Sequence, residues 1–426
     1  MLDVKFIRNQ PDRVRWAVEQ KGADPRADVD RFLALDEDRR RITTEVDDLR
    51  AKRNAASEEI GRKAKAGGDK TELEGMKAKM RDVGARIAEL EKGLTALEEE
   101  QDGLARWIPN VPHESVPAGD ASKNVVVREW GTPAPAGQAL PHWEIGAKLG
   151  VLDFERASKV SGSGFILYTG LGARLERALI QFFLDANGRR GYREVSPPYL
   201  IRPECLFGTG QLPKLESDMY KLQDEDLYLN PTAEVPVTNI YRDEILPGEQ
   251  LPIKLTAYCP SFRREAGAAG RDTRGMVRVH QFDKVEGVKF VAPETSYDEL
   301  EALVGDAEEL LKALELPYRV LLLASGDMSF AASKCYDLEV WAPAEGRWLE
   351  VSSCSCFEAF QARRANIRFR RDAKSKPEHV HTLNGSLLAL PRIVVGLLEQ
   401  HQDPDGRVRV PKALRPYLEG REYLED

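Results

Sequence analysis

The chain has 426 residues, of which 42% are hydrophobic, and its 62 Lys/Arg and 70 Asp/Glu give a formal net charge of −8. This composition predicts a folded protein of about two domains, and it excludes a disordered chain or a uniformly basic one. The start, MLDVKFIRNQ, lacks the apolar core of a signal peptide, and no apolar run reaches the ~18 residues of a membrane span. Five cysteines without a CxxC pair fit a reducing compartment, so we expect a soluble cytoplasmic protein without a membrane partner.

The first part of the chain, residues 1–110, has the pattern of a helical arm. Apolar residues recur in alternating steps of three and four from Leu73 to Ile108, with Gln101 as the one polar residue in the register. The same register runs from Ile42 to Ile60, before the glycine break KAGGDK, with Arg53 interrupting it. This spacing predicts two helices of nearly equal length that fold back as an antiparallel coiled coil, roughly 55 Å long at ~1.5 Å per residue.

The charges of this arm are segregated along its length. Residues 49–86, at the predicted tip, hold eleven Lys/Arg and six Asp/Glu, a net of +5. The two base segments, 28–48 and 87–106, each hold four more acids than bases. A basic tip on an acidic stalk favours binding of a polyanion, although a structural or dimerising coiled coil has the same heptads.

A Pro/Gly-rich segment, residues 111–141, is predicted to be a linker, and residues 142–426 form the second domain. Several strand patterns follow one another there without intervening helices, for example IKLTAYC, YRVLLLA, YDLEVWA and RWLEVSSC. We therefore predict an α+β domain with a mainly antiparallel sheet flanked by helices. GxxxxGK[ST], GxGxxG and HExxH do not occur, so the sequence supports no P-loop, dinucleotide fold or zincin site.

A basic hairpin, SFRREAGAAGRDTRGMVRVHQFDKVEGVKF, is the best candidate site. Because alternate residues of a strand share a face, Arg263 and Glu265 should face one side and Arg264 the other. The outgoing strand should present one face made of Arg278, His280, Phe282, Lys284 and Glu286. These faces predict either a cleft for phosphate and a purine or an exposed ladder of cross-strand ion pairs.

This hairpin resembles motif 2 of class II aminoacyl-tRNA synthetases, specifically of the seryl-tRNA synthetases. GYREVSPPYL at 191–200 resembles motif 1, and HTLNGSLLALPRIVVGLLE at 381–399 resembles motif 3. TGQLPK, NPTAEVPVTN, LEVSSCS and FQARRANIRFR resemble further seryl-enzyme segments in the expected order, and the family also carries an N-terminal helical arm. The resemblance implies a class II catalytic domain at 142–426 and a homodimer.

The resemblance also implies a role for each matching position. Arg263 and Arg392 would be catalytic, and Glu350 and Ser353 would carry Mg²⁺ together with the substrate ATP. The residues implied to bind ATP are Arg263, Arg264, Glu265, Arg278, Val279, Phe282, Glu350, Val351, Ser352, Ser353 and Arg392. Those implied to bind L-serine are Thr232, Ala233, Glu234, Arg263, Glu286, Asn384 and Ser386.

Several of these residues also fit a structural role. Thr232 with Glu234, and Asn384 with Ser386, have the pattern of helix N-caps. If Glu350 and Ser353 both touch a metal, strand alternation requires a bulge or a strand end between them. The chain also departs from the family, having SSCSCFEAFQARR where SSCSNCTDFQARR is common. Contact of Arg271 and Arg274 with ATP or with tRNA is left open.

The resulting hypothesis is ATP-dependent formation of seryl-adenylate followed by transfer of serine to the 3′ end of tRNA(Ser), and of tRNA(Sec) where present. No protein nucleophile is needed for this chemistry, because arginine and Mg²⁺ neutralise the two anions that must meet. Three rivals are a paralogue that activates serine for another carrier, a non-catalytic tRNA-binding protein and a purely structural coiled coil. The intact arm argues against the first, the retained site residues against the second, and the second domain against the third.

Overall fold

The computed structural model describes residues 1–22, 24–266 and 274–425, and Arg271 lies outside them. The chain divides into two compact units. The arm unit comprises Leu2–Glu19 and Ala23–Pro109, and the sheet unit comprises Met1, Gln20–Gly22 and Asn110–Asp426. Within the described ranges, none of the helices is long and apolar enough to cross a bilayer.

Four helices build the arm: α1 (Val4–Asn9), α2 (Pro11–Gln20), α3 (Val29–Lys65) and α4 (Lys70–Ala105). The two long helices have 37 and 36 residues, which is about 55 Å each at ~1.5 Å per residue. Gly67 turns the chain between them with φ +77°, a backbone conformation that favours glycine. Asp69 then caps α4, its side chain accepting from the Thr71 backbone N–H. The predicted hairpin of two helices is confirmed.

The two long helices pack through the predicted heptad positions. Val46, Ile87 and Leu90 form a buried cluster between them, flanked by the partly buried Ile42, Leu49 and Val83. Ion pairs cross the seam from Arg31 to Glu100 and from Arg86 to Glu45, at 2.7 and 3.2 Å. These pairs join early α3 to late α4 and later α3 to earlier α4, so the helices run antiparallel. Gln101 is buried in the register, as its position in the heptad predicts.

The sheet unit contains thirteen strands and eight helices among the described residues. The strands are β1 (Val125–Trp130), β2 (Arg193–Glu194), β3 (Leu200–Ile201), β4 (Tyr228–Leu229), β5 (Ile245–Pro247), β6 (Ile253–Phe262), β7 (Gln281–Val291), β8 (Tyr318–Leu322), β9 (Lys334–Ala342), β10 (Arg347–Glu358), β11 (Arg368–Arg370), β12 (Glu378–His379) and β13 (His381–Ala389). The helices are α5 (His142–Lys148), α6 (Phe154–Ser161), α7 (Leu171–Arg189), α8 (Pro203–Thr209), α9 (Glu234–Thr238), α10 (Ser296–Ala313), α11 (Phe360–Ala365) and α12 (Leu390–Gln400).

An eight-stranded sheet organises this unit, in the order β1-β8-β9-β10-β13-β7-β6-β2. Every neighbouring pair is antiparallel except β2 with β6, which is parallel. Apolar side chains of α7, α10 and α12 share one buried cluster with the sheet. Because each amphipathic helix buries its apolar face on the sheet, the predicted α+β architecture follows and is confirmed.

The structure differs from the sequence-based prediction in one segment of the linker. Val125–Trp130 forms the edge strand β1 and pairs with β8, although it lies inside the segment 111–141. The sequence of β1, VVVREW, does not alternate apolar and polar residues, and all six residues are exposed. The sequence therefore lacks the alternation that marks a half-buried strand.

Candidate active site

Two adjoining cavities open beside the central strands β7, β10 and β13. The smaller has a volume of about 230 Å³ and the larger about 700 Å³. Both are lined by the same six residues, namely Arg263, Glu265, Arg278, Lys284, Glu350 and Ser386. The two cavities are therefore one continuous site with two compartments.

The hairpin that carries the first four of these residues is shorter than its sequence predicts. Strand β6 ends at Phe262 and β7 begins at Gln281, so residues 263–266 and 274–280 lie outside the strands. Phe282, Lys284 and Glu286 share the predicted face and line the site. His280, predicted on that same face, lines neither cavity and packs on Phe165, with ring centroids 5.5 Å apart. Alternation failed there because it applies only inside a strand.

The smaller compartment combines guanidinium groups with an aromatic ring. The Arg263 guanidinium lies 5.1 Å from the centroid of the Phe282 ring. Arg278 Nη1 donates to Glu265 Oε2 at 2.5 Å, while no acceptor lies near its buried Nε within the described ranges. The Val277, Val279 and Val351 side chains add an apolar wall. Cationic forks beside an aromatic plate are suited to a nucleotide with its phosphates.

Arg392 enters the same compartment from the first turn of α12. Its Nε donates to the Val277 carbonyl oxygen at 3.1 Å, and its Nη1 donates to the Glu350 carbonyl oxygen at 2.7 Å. The carboxylate of Glu350 is 3.5 Å from Nη1. The side chain thus links the hairpin to β10 while remaining partly exposed to the cavity.

The larger compartment contains a buried polar cluster around Glu286. Lys284 forms an ion pair with Glu286 and donates to Thr232 Oγ1 at 2.8 Å. Thr232 Oγ1 and Asn384 Nδ2 donate to the two Glu286 carboxylate oxygens at 3.2 and 2.8 Å. Ser386 lies opposite Glu286 in the pairing of β13 with β7. A buried charge with this many partners is held in one orientation.

A second buried carboxylate, Glu234, lies in the same compartment. Gln361 Nε2 donates to its Oε1 at 2.6 Å, and Gln211 Nε2 lies 3.4 Å from its Oε2. Burial, helped by the nearby negative charge of Glu286, raises the pKa of Glu234 to about 7. Glu234 is therefore an acceptor whose charge is sensitive to its surroundings.

Oxygen ligands gather at the junction of the two compartments. Strand β10 has a bulge between Glu350 and Ser352, and both Glu350 and Ser353 line the larger cavity. Asp337, opposite Ser353 on β9, lines it as well. Burial, with the charge of Glu350 as the next cause, raises the pKa of Asp337 well above its usual range. Carboxylate and hydroxyl oxygens are the ligands that Mg²⁺ prefers.

Comparison with known proteins gives this site its family. A family model described as "Seryl-tRNA synthetase N-terminal domain" matches residues 1–112, and one described as "tRNA synthetase class II core domain (G, H, P, S and T)" matches residues 218–401. The serine–tRNA ligases of Desulfitobacterium hafniense (strain Y51) and Bacillus subtilis (strain 168) are 55% and 52% identical to the chain, and each match covers 100% of both proteins.

A solved structure matches the whole chain as well. Seryl-tRNA synthetase from Pyrococcus horikoshii, complexed with ATP, superposes with a TM-score of 0.95 at 39% identity, covering 100% of this chain and 99% of that one. The chain belongs to the seryl-tRNA synthetase family. The predicted enzyme class, a ligase that charges tRNA with serine at the expense of ATP, is thereby confirmed.

Some of the other residues predicted for this synthetase line the two compartments, and others do not. Asn384 and Ser386 lie inside β13, so the alternative of a helix N-cap is wrong for them, and α12 begins only at Leu390. Ser352 is buried and donates to the Ser386 carbonyl oxygen at 2.6 Å, which fastens β10 to β13. Arg264, Ala233 and Ser352 line neither cavity.

Lys284 was predicted on the face of the site but was given no partner, and neither Gln361 nor Asp337 was given a role by the sequence-based prediction. Lys284 neutralises Glu286, Gln361 binds Glu234, and Asp337 lies beside Ser353. The sequence could have indicated Asp337, because YDLEVWA places Asp337 and Glu339 on one face of an otherwise apolar strand. Gln361 had no signal, because its partner is 127 positions away in the chain.

Proposed function

We propose that the two compartments form one adenylation site, with ATP in the smaller and L-serine in the larger. The observation that carries this proposal is the position of Arg263, which lines both compartments and whose Nε is fixed at 3.3 Å from the Pro231 carbonyl oxygen. A guanidinium at that junction can bind the serine carboxylate and the α-phosphate together.

The reaction at this junction joins two anions. A serine carboxylate oxygen attacks the α-phosphorus, a new P–O bond forms, and the bond to the oxygen bridging to the β-phosphate breaks, so that pyrophosphate leaves. Arg263 offsets the charge at the α-phosphate, and Arg278 and Arg392 bind the outer phosphates. The protein supplies position and fixed positive charge, and no covalent enzyme intermediate is required.

Mg²⁺ fits the junction beside these arginines. Glu350 and Ser353 would hold it, since the bulge in β10 turns both toward one cavity and both offer hard oxygen ligands. The ion would supply further neutralisation of the phosphate oxygens. Val351 lies between the two and contributes an apolar wall to the nucleotide compartment.

Serine selection is assigned to the buried carboxylates. Glu234 and Glu286 can accept hydrogen bonds from the hydroxyl and ammonium groups of serine, with Thr232, Asn384 and Ser386 lining the same compartment. Alanine would leave a buried acceptor without its donor, which costs far more than losing an apolar contact. Exclusion of alanine follows from this, whereas exclusion of threonine depends on the space around its extra methyl group.

The tRNA and a second copy are assigned to separate surfaces. The basic tip of the arm is suited to tRNA(Ser), and to tRNA(Sec) where it is present, through phosphate contacts. Strand β2, from the segment resembling motif 1, is the edge of the sheet and both of its residues are exposed, which supports a homodimer across that edge.

All five cysteines are free thiols, which supports a reducing cytoplasmic setting.

Exchange of label between pyrophosphate and ATP tests this assignment without tRNA. We expect exchange that requires serine and Mg²⁺ and that alanine does not support. Charging of tRNA(Ser) by the same preparation separates the proposal from its rival, because a paralogue serving another carrier would exchange label and fail to charge. Absence of serine-dependent exchange would refute the assignment of both compartments.

A further inference from the structure

We propose that His142 is a positioning residue for the nucleotide compartment, and that it acts by holding the segment 276–279 in place. This inference rests on the proposed function, because that segment is a wall of the compartment assigned to ATP. His142 is fully buried at the start of α5 and does not line the nucleotide compartment. Its effect on ATP must therefore pass through the backbone that it binds.

The hydrogen bonds of His142 define its tautomer. The backbone N–H of Met276 donates to His142 Nε2 at 3.1 Å, so Nε2 carries no proton. His142 Nδ1 lies 2.9 Å from Glu399 Oε1 and must then be the protonated nitrogen that donates to it. Glu399 is itself buried, and its Oε2 accepts from the Ala344 N–H at 3.1 Å. The result is an oriented relay from Glu399 through His142 to Met276.

Helix α12 thereby holds two consecutive residues, Met276 and Val277, which follow the hairpin loop. Arg392, in its first turn, donates to the Val277 carbonyl oxygen at 3.1 Å. Glu399, in its last turns, reaches the Met276 N–H through His142. A backbone held at adjacent N–H and C=O groups has little freedom to rotate, so Val277, Arg278 and Val279 keep their places in the wall of the compartment.

The residue before Met276 shows how close this contact is. Gly275 has φ +76°, and a Cβ atom added to it would lie 2.1 Å from His142 Nε2 and 3.0 Å from Trp143. Arg274 in turn lies over the Trp143 ring, 5.3 Å from its centroid. Only glycine fits where the chain passes over the His142–Trp143 pair. Arg274 and Gly275 therefore pack against the first residues of α5.

The same atoms raise one other possibility, a metal site. His142, Glu345 and Glu399 offer ligand atoms within 4.8 Å of one another. However, both ring nitrogens of His142 and both Glu399 oxygens already have hydrogen-bond partners, and backbone N–H groups, whose positions a cation cannot take, are among those partners. The arrangement is that of a hydrogen-bond relay.

Steady-state pyrophosphate exchange with His142→Phe tests the inference. The unpaired Met276 N–H and the loosened segment should raise KM for ATP by about tenfold, while KM for serine changes less than about twofold. His142→Gln should recover most of the ATP affinity, since its Oε1 can accept from the Met276 N–H. His401→Phe is the matched control: it is equally a buried histidine, but it bonds to Leu314 away from the site, and KM for ATP should not change.

Three outcomes would overturn the inference. One is a folded His142→Phe enzyme with unchanged KM for ATP, and another is an equal rise in both Michaelis constants. The third is a stoichiometric metal in the purified enzyme that is lost in His142→Phe, which would make the cluster a metal centre. If His142→Phe does not fold, Glu399→Gln provides the test, because it keeps the side-chain volume and should show the same selective rise in KM for ATP.

Discussion

Glu350 and Ser353 line the same cavity although they are three positions apart in one strand, β10. In a regular strand they would point to opposite faces of the sheet. The bulge between Glu350 and Ser352 adds the extra residue that turns Ser353 to the face of Glu350. The junction of the two compartments therefore depends on a local irregularity of the sheet.

This relationship predicts the metal dependence of the reaction. In Glu350→Gln we expect at least a hundredfold loss of kcat in pyrophosphate exchange, together with a higher Mg²⁺ concentration for half-maximal rate. Ser353→Ala, which removes a neutral ligand, should cost less but shift the Mg²⁺ curve in the same direction. Glu249→Gln, an exposed glutamate outside the site, serves as the control. An unshifted Mg²⁺ curve in both site variants would remove these residues from the metal site.

The raised pKa of Glu234 predicts how serine binding depends on pH. Because the pKa is about 7, the carboxylate gains a proton as the pH falls through 7 and loses acceptor capacity, so KM for serine should rise toward acid pH. Gln361 donates to Glu234 and so favours the charged form. Gln361→Met should therefore move the midpoint of the KM profile to higher pH.

The pH profile of KM for ATP is the internal control for this experiment. It should keep the same shape in wild type and in Gln361→Met, since Gln361 does not line the smaller compartment. A serine profile that is flat between pH 6 and 8, or that does not move in the variant, would contradict the assigned role of Glu234.

Local periodicity was enough to predict the arm. A seam that repeats every seven residues is a property of neighbours along one helix, so Ile42, Leu49 and Ile87 could be placed on it from the sequence alone. Strand β1 could not be placed in this way, because its six residues are all exposed and its pairing partner β8 is far along the chain. Long-range pairing is not encoded in a local pattern.

The site shows the same division. The prediction that Phe282, Lys284 and Glu286 share one face is correct because these residues lie inside the strand β7. His280 was misplaced because the chain outside the strand follows contacts with Gly164 and Phe165 instead of the pleat. The roles of most site residues came from family resemblance, whereas Gln361 and Asp337 needed the folded arrangement to become visible.

Charge reversal at the tip of the arm separates tRNA binding from adenylation. We expect Lys52→Glu, Lys77→Glu and Lys79→Glu together to raise KM for tRNA(Ser) by tenfold or more, through lost phosphate contacts, and to leave pyrophosphate exchange unchanged. Lys92→Glu, on the acidic base of the arm, is the matched control and should have little effect. Equal losses in charging and exchange would refute the division of labour between the arm unit and the sheet unit.

Stacking on Phe282 predicts a further effect on ATP. Phe282→Leu keeps an apolar side chain but removes the ring, and loss of base stacking worth about 1–3 kcal/mol should raise KM for ATP by roughly 5- to 150-fold. KM for serine should remain within about twofold. The measurement is steady-state exchange at varied ATP, and an unchanged KM for ATP would show that adenine binds elsewhere.

Arg263 lines both compartments, and Arg263→Lys tests whether its guanidinium group bridges the two substrates. Lysine keeps the charge but not the planar fork that can bind a carboxylate and a phosphate together. Serine-dependent pyrophosphate exchange should lose at least a hundredfold in kcat while the melting temperature stays near that of wild type. Exchange within about threefold of wild type would contradict a single adenylation site bridged by this residue.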